Sequence, residues 1–172
     1  MHFAVPVIET ERLILRAPRV ADFDAHAAFM ATERSSFIGG PKKRQDAWFG
    51  FCTSLGHWMA RGFGMWTIAD KANDTPLGRT GFLNHEGWDE PELGWHIYAA
   101  AEGKSIAFEA AQAARAYGAA HFGLDGVISY IHAANTRSQA LAERLGARYE
   151  RDGTVVGDPC QVWRHPQQGE AA

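Results

Sequence analysis

A short polar turn followed at once by a long helical pattern could hold an anion. The turn is EGKSIA, Glu102 to Ala107, and the helical pattern continues through AYG at 116–118. The first main-chain N–H groups of a helix have no partner within it, and the helix dipole is positive there. Gly103 allows close approach of the backbone, Lys104 adds a charge, and Ser105 adds a hydroxyl donor or a helix cap. A phosphate site is the expected use; a standard P-loop is excluded, because it would need glycine where Tyr98 stands.

The loop HEGWDEPE, residues 85–92, gathers carboxylates around one tryptophan. A cationic amine would be attracted by the carboxylates and by the face of Trp88. His85 has an intrinsic pKa suited to proton transfer near neutral pH. These features make His85, Glu86 and Trp88 the candidate acceptor-binding residues. A solvated acidic turn explains the same residues without any function, and this alternative stays open.

Composition narrows the class of function. The 172 residues carry a formal net charge of −3, which gives no basic surface for nucleic acid. Cys52 and Cys160 lack CxxC spacing and the histidines show no metal-ligand spacing, so no disulfide or metal site is expected. The chain shows no signal-peptide pattern and no apolar run of about 18 residues, so we expect a cytoplasmic protein without a membrane partner.

The elements that must position these residues follow from the spacing of apolar side chains. Period-two alternation predicts strands at 11–18, 64–70, 78–84, 92–100, 126–133, 147–152 and 159–164. Helical spacing and end signals predict helices at 20–31, 41–62, about 104–121 and about 136–145. This order predicts a single α/β or α+β domain over residues 1–172, with an ordered core at about 8–166. The side of the 41–62 helix expected to face the sheet comprises Trp48, Phe51, Cys52, Leu55, Trp58 and Met59.

Three segments resemble one known family. Residues 92–110, ELGWHIYAAAEGKSIAFEA, and 135–150, NTRSQALAERLGARYE, resemble the GCN5-related N-acetyltransferase (GNAT) superfamily, in particular its ribosomal-protein-alanine acetyltransferase-like (RimJ/RimL-type) branch. The segment ETERLILRAP, residues 9–18, is similar to the first strand of that branch. The resemblance therefore covers nearly the whole chain in the expected order.

The resemblance implies a fold and an activity. The implied fold is the GNAT α/β (α+β) fold, a mixed, mostly antiparallel sheet of about seven strands with helices on both faces. The implied activity is direct transfer of an acetyl group from acetyl-CoA to a primary amine, on a protein N-terminus or a small molecule, without a metal. A homodimer is compatible with it. Two alternatives stay open: a catalytically weak acyl-CoA-binding or sensor module on the same fold, and an aminoglycoside-type acetyltransferase.

The resemblance also implies where acetyl-CoA binds. The pyrophosphate is expected on the main-chain amides of the turn, which comprises Glu102, Gly103, Lys104, Ser105, Ile106 and Ala107. The pantetheine arm is expected along the edge of the preceding strand, at Trp95, His96 and Ile97. Asn135 and Ser138 are expected to contact the same arm. A helix N-terminus and an exposed strand edge both suit these roles physically.

Two catalytic roles follow from the same resemblance. Glu92, at the start of the strand that leads to the turn, is expected to be the general base; a solvated strand-end carboxylate is the alternative. Ser138 is expected to stabilise the leaving thiolate, because the tyrosine that many relatives use as the acid is Ala142 here. Asn135 is also well placed to cap the helix that follows it, without any catalytic role.

Glu102 and Ser105 depart from the usual turn of this family. The usual turn has Gln, Arg or Trp where Glu102 stands, and its central residue is glycine where Ser105 stands. A carboxylate beside a pyrophosphate is repelled unless it faces solvent or pairs with Lys104. Ser105 would need a positive φ, at a cost of about 1 kcal/mol or more. Both departures are expected to affect the affinity for CoA rather than the fold.

Overall fold

One eight-stranded sheet with helices on both faces organises the chain. The structure, a computed structural model, describes residues 4–169, so residues 1–3 and 170–172 of the predicted domain lie outside the described part. The strands are β1 (Ile8–Glu9), β2 (Leu13–Arg16), β3 (Met65–Asp70), β4 (Pro76–Leu83), β5 (Glu92–Ile97), β6 (Ile128–Ile131), β7 (Arg148–Val155) and β8 (Asp158–Arg164). The α-helices are α1 (Phe23–Met30), α2 (Arg44–Arg61), α3 (Ile106–His121) and α4 (Thr136–Arg144). Short 3-10 helices cover Val20–Asp22, Glu33–Ile38 and Ala99–Ala101.

The strand order is β1-β2-β3-β4-β5-β6-β8-β7, and every neighbouring pair is antiparallel except β5 and β6. This confirms the predicted mixed, mostly antiparallel sheet. The sheet has eight strands rather than about seven because β1 was not predicted. Two residues are too short a segment to show an alternation of apolar and polar side chains.

Side chains of β5 alternate between the two faces of the sheet and so separate the helices. Trp95 points toward α4, where its Nε1 donates to Ser138 Oγ at 3.3 Å. His96 points to the opposite face and stacks on Phe29 of α1, with ring centroids 5.1 Å apart. The larger apolar cluster of the core lies on the α3 side, and a smaller one lies under α1 and α2.

The buried side of α2 differs from the predicted one. Phe51 and Trp58 are buried as expected, but Met59 is 76% exposed and Cys52 is exposed. The buried positions instead include Ser54, whose hydroxyl accepts a hydrogen bond from Arg79 Nη2 at 2.7 Å. Apolar residues alone do not predict which side of α2 is buried. Polar side chains of α2 are also buried when they form hydrogen bonds with polar groups of the sheet.

Gly118 lies where α3 packs directly on β4. A Cβ at this position would lie 2.2 Å from Phe82 Cζ. We predict that Gly118→Ala lowers the free energy of unfolding by about 1 to 3 kcal/mol, because a close-packed core resists an added methyl group. Gly56→Ala in α2 is the matched control: its Cβ would meet nothing within 4 Å, so we expect stabilisation by up to about 1 kcal/mol. Urea denaturation measures both, and equal effects would contradict the packing argument.

Candidate active site

A cleft opens where β5 and β6 part. The two parallel strands share a single register pair, Glu92 with Ile128, and diverge beyond it. A cavity of about 640 Å³ occupies the gap. Its walls are the two strands, the turn before α3, the first turn of α4 and the 3-10 helix Glu33–Ile38. The cleft therefore offers an unpaired strand edge and a helix N-terminus to one elongated ligand.

The turn before α3 carries a run of free main-chain N–H groups. Within the part of the chain that the structure describes, the N–H groups of residues 103–108 have no hydrogen-bond acceptor. Glu102 differs, because its N–H donates to Ala99 O at 3.3 Å. The free segment is therefore shifted by one residue from the predicted 102–107. Six adjacent free donors at the positive end of a 16-residue helix form a strong potential site for an anion.

Ser105 adopts the left-handed conformation that was expected of the glycine it replaces, with φ 58° and ψ 17°. It stands at the N-cap of α3 but makes no capping hydrogen bond through its side chain. The predicted cap role is therefore wrong, and the hydroxyl is free to donate to a ligand. The strained backbone costs about 1 kcal/mol.

Contacts from behind hold the turn in place. Glu109, in the first part of α3, accepts hydrogen bonds from Thr10 Oγ1 at 2.6 Å and from Arg12 Nε at 2.7 Å. Arg12 Nη1 also donates to Lys104 O at 3.1 Å. The segment before β2 is thereby tied to the turn and to the helix. The free N–H groups are fixed by protein contacts before any ligand arrives.

The Glu102 carboxylate is neutralised by two arginines rather than by Lys104. It forms ion pairs with Arg34, from the 3-10 helix Glu33–Ile38, and with Arg137, in the first turn of α4. Lys104 Nζ donates instead to Ala100 O at 2.8 Å, and Lys104 does not line the cavity. Pairing with Lys104 was one of two ways considered to relieve the repulsion, and pairing with these two arginines takes its place. The two guanidinium groups leave this mouth of the cleft with a net positive charge in spite of the carboxylate.

Glu92 lies at the closed end of the cleft. Its Oε2 accepts a hydrogen bond from Tyr130 N at 3.0 Å, where the β5–β6 ladder breaks off. The side chain lines the cavity but is largely withdrawn from solvent, and this burial raises the pKa of Glu92 to about 8. A carboxylate with such a pKa is a strong base when ionised at slightly alkaline pH. The alternative of a solvated strand-end carboxylate does not fit this environment.

Beyond Glu92, the edge of β5 that faces the gap is not paired with β6. Leu93 O accepts a hydrogen bond from Ser129 Oγ at 2.5 Å, and Ile97 O accepts one from Arg34 Nη2 at 3.4 Å. Because peptide groups of alternate strand residues point the same way, the N–H and C=O of Trp95 also face the gap. His96 directs its peptide groups to β4 and its side chain to α1. Of the three predicted pantetheine contacts, Trp95 and Ile97 therefore face the cleft with their main chain.

The first turn of α4 brings the other two predicted contacts to the cleft. Asn135 and Ser138 both line the cavity. Asn135 Oδ1 accepts a hydrogen bond from Ser138 N at 3.2 Å, so Asn135 caps α4. Ser138 Oγ accepts a hydrogen bond from Trp95 Nε1, which leaves its own proton available for a ligand.

The predicted acceptor-binding residues do not line the cavity. His85 packs against His57 and Trp88, with ring centroids 5.2 Å and 4.9 Å away. Trp88 in turn packs against Tyr130, at 5.6 Å, and Tyr130 does line the cavity. Glu86 is exposed on the loop. The loop thus lies one side chain away from the cleft, behind Tyr130.

The other carboxylates of this loop serve a structural purpose. Asp89 forms an ion pair with Arg151 of β7 at 2.7 Å. Glu90 forms one with Arg164 of β8 at 2.6 Å. These pairs tie the loop to the far edge of the sheet and neutralise much of its charge. These two carboxylates of the loop are therefore already paired with arginines of the protein.

Sequence reasoning missed several cleft residues, among them Arg34, Arg137, Phe37 and Tyr130. Arg34 comes from a segment without periodicity, so nothing in the sequence connects it to a turn nearly seventy positions later. Phe37, from the same segment, packs against His132 beyond β6, with ring centroids 5.2 Å apart. Tyr130 lines the cavity with a buried hydroxyl that has no partner. Its place in the alternating segment VISYI, three residues into the strand, is the signal that could have identified it.

Two further expectations concern metals and membranes. Among residues 4–169, no group of three or more His, Cys, Asp or Glu side chains is arranged to hold a metal ion. None of the described helices is long and apolar enough to cross a membrane.

Comparisons with known proteins identify the family. A sequence model described as the acetyltransferase (GNAT) domain matches residues 12–148. The crystal structure of an acetyltransferase from Agrobacterium tumefaciens str. C58 is 34% identical, covers 97% of this chain and 98% of its own, and superposes with a TM-score of 0.89. A GNAT-family acetyltransferase from Bordetella pertussis is 28% identical, with 94% and 99% of the two chains covered and a TM-score of 0.78.

The ribosomal-protein branch shares the fold. RimL, a ribosomal L7/L12 α-N-protein acetyltransferase solved in complex with coenzyme A, superposes with a TM-score of 0.73 at 17% identity, over 93% of this chain and 96% of its own. The family match, the 34% identical acetyltransferase and the split sheet agree with the family resemblance of the sequence. The chain belongs to the GNAT family and is an acetyl-CoA-dependent N-acetyltransferase.

Proposed function

We propose that the protein transfers the acetyl group of acetyl-CoA directly to a primary amine, on a protein N-terminus or a small molecule, within a ternary complex. The observation that carries this proposal is the run of free main-chain N–H groups at residues 103–108, at the mouth of the parted strands. Two linked phosphates match several adjacent donors at a helix N-terminus. Arg34 and Arg137 lie close enough to add charge to the same site.

The shape of the cleft supports a position for the rest of CoA in this proposal. The pantetheine arm carries two amides, and the free N–H and C=O of Trp95 can extend the β5 edge to one of them, as another strand would. Asn135 and Ser138 line the opposite wall. The thioester then lies toward the closed end of the cleft, on the side of Glu92.

Glu92 acts as the general base in this proposal. The attacking amine must lose a proton, and a base in hydrogen-bond reach or one water away contributes typically about 10²- to 10⁴-fold to the rate. Holding the amine against the thioester supplies a further part of the barrier reduction. Ser138, whose hydroxyl donates no hydrogen bond within residues 4–169, is the group proposed to stabilise the departing thiolate.

Calorimetry and a thiol-release assay test this function together. Titration with CoA and acetyl-CoA measures binding, and release of free thiol with a panel of N-terminal peptides, small amines and aminoglycosides measures transfer. We expect binding of both nucleotides and transfer to at least one amine class. Binding without transfer to any amine would favour the sensor module, and transfer confined to aminoglycosides would favour the aminoglycoside-type enzyme.

Two variants at Ser105 separate backbone strain from the hydroxyl. We predict that Ser105→Gly binds CoA as tightly as the wild type or more tightly, because glycine adopts a φ near 58° without strain. Ser105→Ala keeps the strain and removes only the hydroxyl. We expect its dissociation constant, measured by calorimetry, to stay within about threefold of the wild-type value. Clear weakening in both variants would show instead that the hydroxyl holds a phosphate.

A further inference from the structure

Four polar side chains form a row across one face of the sheet, under α1 and α2. Arg16 of β2 lies opposite Thr67 of β3, Thr67 opposite Arg79 of β4, and Arg79 opposite His96 of β5. Directly opposite residues of neighbouring strands point to the same face. Arg16, Thr67 and Arg79 are buried, with exposed fractions of 4%, 1% and 3%. We call these four residues the polar row.

At the Arg16 end of the polar row the charges are compensated. Arg16 donates to both carboxylate oxygens of Asp22, at 2.8 Å and 2.9 Å, and to Asp74 at 2.6 Å. Thr67 Oγ1 donates to Asp22 at 3.0 Å. This is the arrangement that a buried guanidinium requires: a bidentate carboxylate with its remaining lone pairs satisfied.

At the Arg79 end no carboxylate contacts the guanidinium among the described residues, and the charge of Asp22 acts on Arg79 only from a distance. Arg79 Nη2 donates to Ser54 Oγ, and the guanidinium lies 5.5 Å from the centre of the Phe51 ring. Among residues 4–169 no carboxylate lies within ion-pair distance of Arg79, and its buried Nε has no hydrogen-bond partner. Burial lowers the pKa of Arg79. A buried charge with one neutral partner is unfavourable by several kcal/mol.

Two histidines beside Arg79 have unused ring nitrogens as well. His26 of α1 and His96 have ring centroids 5.8 Å apart. His26 Nδ1 and His96 Nε2 are both buried and have no hydrogen-bond partner among the described residues. Burial and then the Arg79 charge lower the pKa of His26 to about 4, and the same two causes lower that of His96. Each ring is therefore neutral near pH 7, and each can turn an N–H toward an anion.

We propose that a small monovalent anion, of carboxylate or halide type, binds between Arg79, His26 and His96 and gives Arg79 the counter-charge that Asp22 gives Arg16. Three side chains from β4, α1 and β5 converge with unpartnered polar atoms on the same buried region. The contrast between the two ends of the polar row carries the inference, because one chain shows both a compensated and an uncompensated buried arginine. The site lies on the opposite face of the sheet from the Trp95 side chain.

Burial limits the size and the route of the anion. Arg79 and His26 do not line the main cavity, whereas His96 and Phe29 do. The anion therefore enters past these two rings, which stack on each other with centroids 5.1 Å apart. Formate, acetate and chloride are small monovalent anions of this type. The anion is either a free ion or the carboxylate of an acceptor that occupies the cavity.

Thermal unfolding in an anion series tests the site. Formate or chloride replaces gluconate at constant ionic strength, for the wild type, Arg79→Met and Arg44→Met. Arg44 is the matched control, because its guanidinium also lies on a phenylalanine ring, 4.7 Å from the centre of Phe23, but is exposed and paired with Asp24. Above the dissociation constant, each tenfold rise in formate should raise the Tm of the wild type and of Arg44→Met by about 3 to 6 °C.

Arg79→Met is expected to fold, because replacing an uncompensated buried charge by an apolar side chain of similar length is neutral or stabilising. Its Tm should not respond to formate beyond the general salt effect. A wild-type crystal soaked in bromide needs no variant and should show an anomalous peak within about 3.5 Å of an Arg79 nitrogen. Parallel Tm responses of the wild type and Arg79→Met, or only water beside Arg79 in the bromide map, overturn the proposal.

Kinetics with matched acceptors identify the source of the anion. Each pair consists of an amine that carries a carboxylate and the same amine with a carboxamide in its place. A preference for the acid in kcat/KM that Arg79→Met loses supports the site with the acceptor carboxylate as its occupant. No preference for the acid, together with the formate-dependent Tm of the wild type, supports the site with a free ion as its occupant.

Discussion

Replacing Glu92 with glutamine is expected to lower kcat at pH 9 by about 100-fold or more, within the range of general-base catalysis. The wild-type rate should rise through pH 8, because burial raises the pKa of Glu92 to about 8 and only the ionised form accepts a proton. Below pH 8 the ionised fraction falls tenfold per unit, so the difference between wild type and variant shrinks toward pH 6. The ratio of the two pH profiles isolates Glu92, since the acceptor amine titrates equally in both.

The free energy of unfolding of Glu92→Gln is a second measurement, and at pH 9 it is expected to rise while kcat falls. Between the ordinary carboxyl pKa and about 8, the folded protein holds a proton on Glu92 that the unfolded chain has released. Wild-type stability from this group is present at low pH and is lost as pH rises through 8. The neutral amide does not titrate, so Glu92→Gln should be more stable than the wild type at pH 9 while being much less active.

Glu143→Gln, an exposed carboxylate on α4, is the control and should keep kcat within about twofold. Parallel pH profiles for the wild type and Glu92→Gln, at equal or unequal rates, would rule out the general-base role. A variant that lost both activity and stability would indicate structural damage and not the loss of a base.

Replacing Ala107 with proline is expected to weaken CoA binding by about 10- to 100-fold, the effect of one charge-assisted hydrogen bond. Ala107 N–H has no acceptor within residues 4–169, so the substitution removes a donor without breaking a bond of the protein. Ala107 is the second residue of α3, where proline breaks no hydrogen bond of the helix but restricts the conformation of Ile106, so the Tm must be measured beside the affinity. Calorimetry with CoA measures the change.

Ala107→Ser is the matched control, because serine keeps the main-chain N–H and, like proline, has a side chain slightly larger than that of alanine. Its dissociation constant should stay near the wild-type value. The Tm of both variants reports whether α3 still begins correctly. If a folded Ala107→Pro variant bound CoA as tightly as Ala107→Ser, this amide would have no part in holding the pyrophosphate.

The fold could be predicted from the sequence wherever the pattern of neighbouring residues matched the burial of those residues in the folded protein. The alternation in 64–70, 78–84 and 92–100 reports strands with one face on an apolar core, and β3, β4 and β5 are found there. The left-handed conformation of Ser105 followed from its place before a helix start in a family turn. Such features depend on neighbours in the sequence, which a single chain displays.

The positions that the sequence did not predict depend on partners far along the chain. Ser54 is buried in α2 because Arg79 needs a hydrogen-bond acceptor, and an apolar stripe carries no trace of that need. Glu102 is neutralised by arginines about 68 and 35 positions away, whereas the sequence suggested only exposure to solvent or pairing with nearby Lys104. The acidic loop at 85–92 predicts a site for a cationic amine, and the sequence does not show that Arg151 and Arg164 form ion pairs with two of its carboxylates.

In the proposed complex, residues 103–108 hold the pyrophosphate of CoA through their main-chain N–H groups. A crystal structure of the protein with CoA tests it most directly. We predict diphosphate oxygens within about 3.2 Å of several of these nitrogens, and pantetheine along the Trp95 edge of β5. Pyrophosphate bound elsewhere, or these N–H groups bonded to protein acceptors in the complex, would contradict the account.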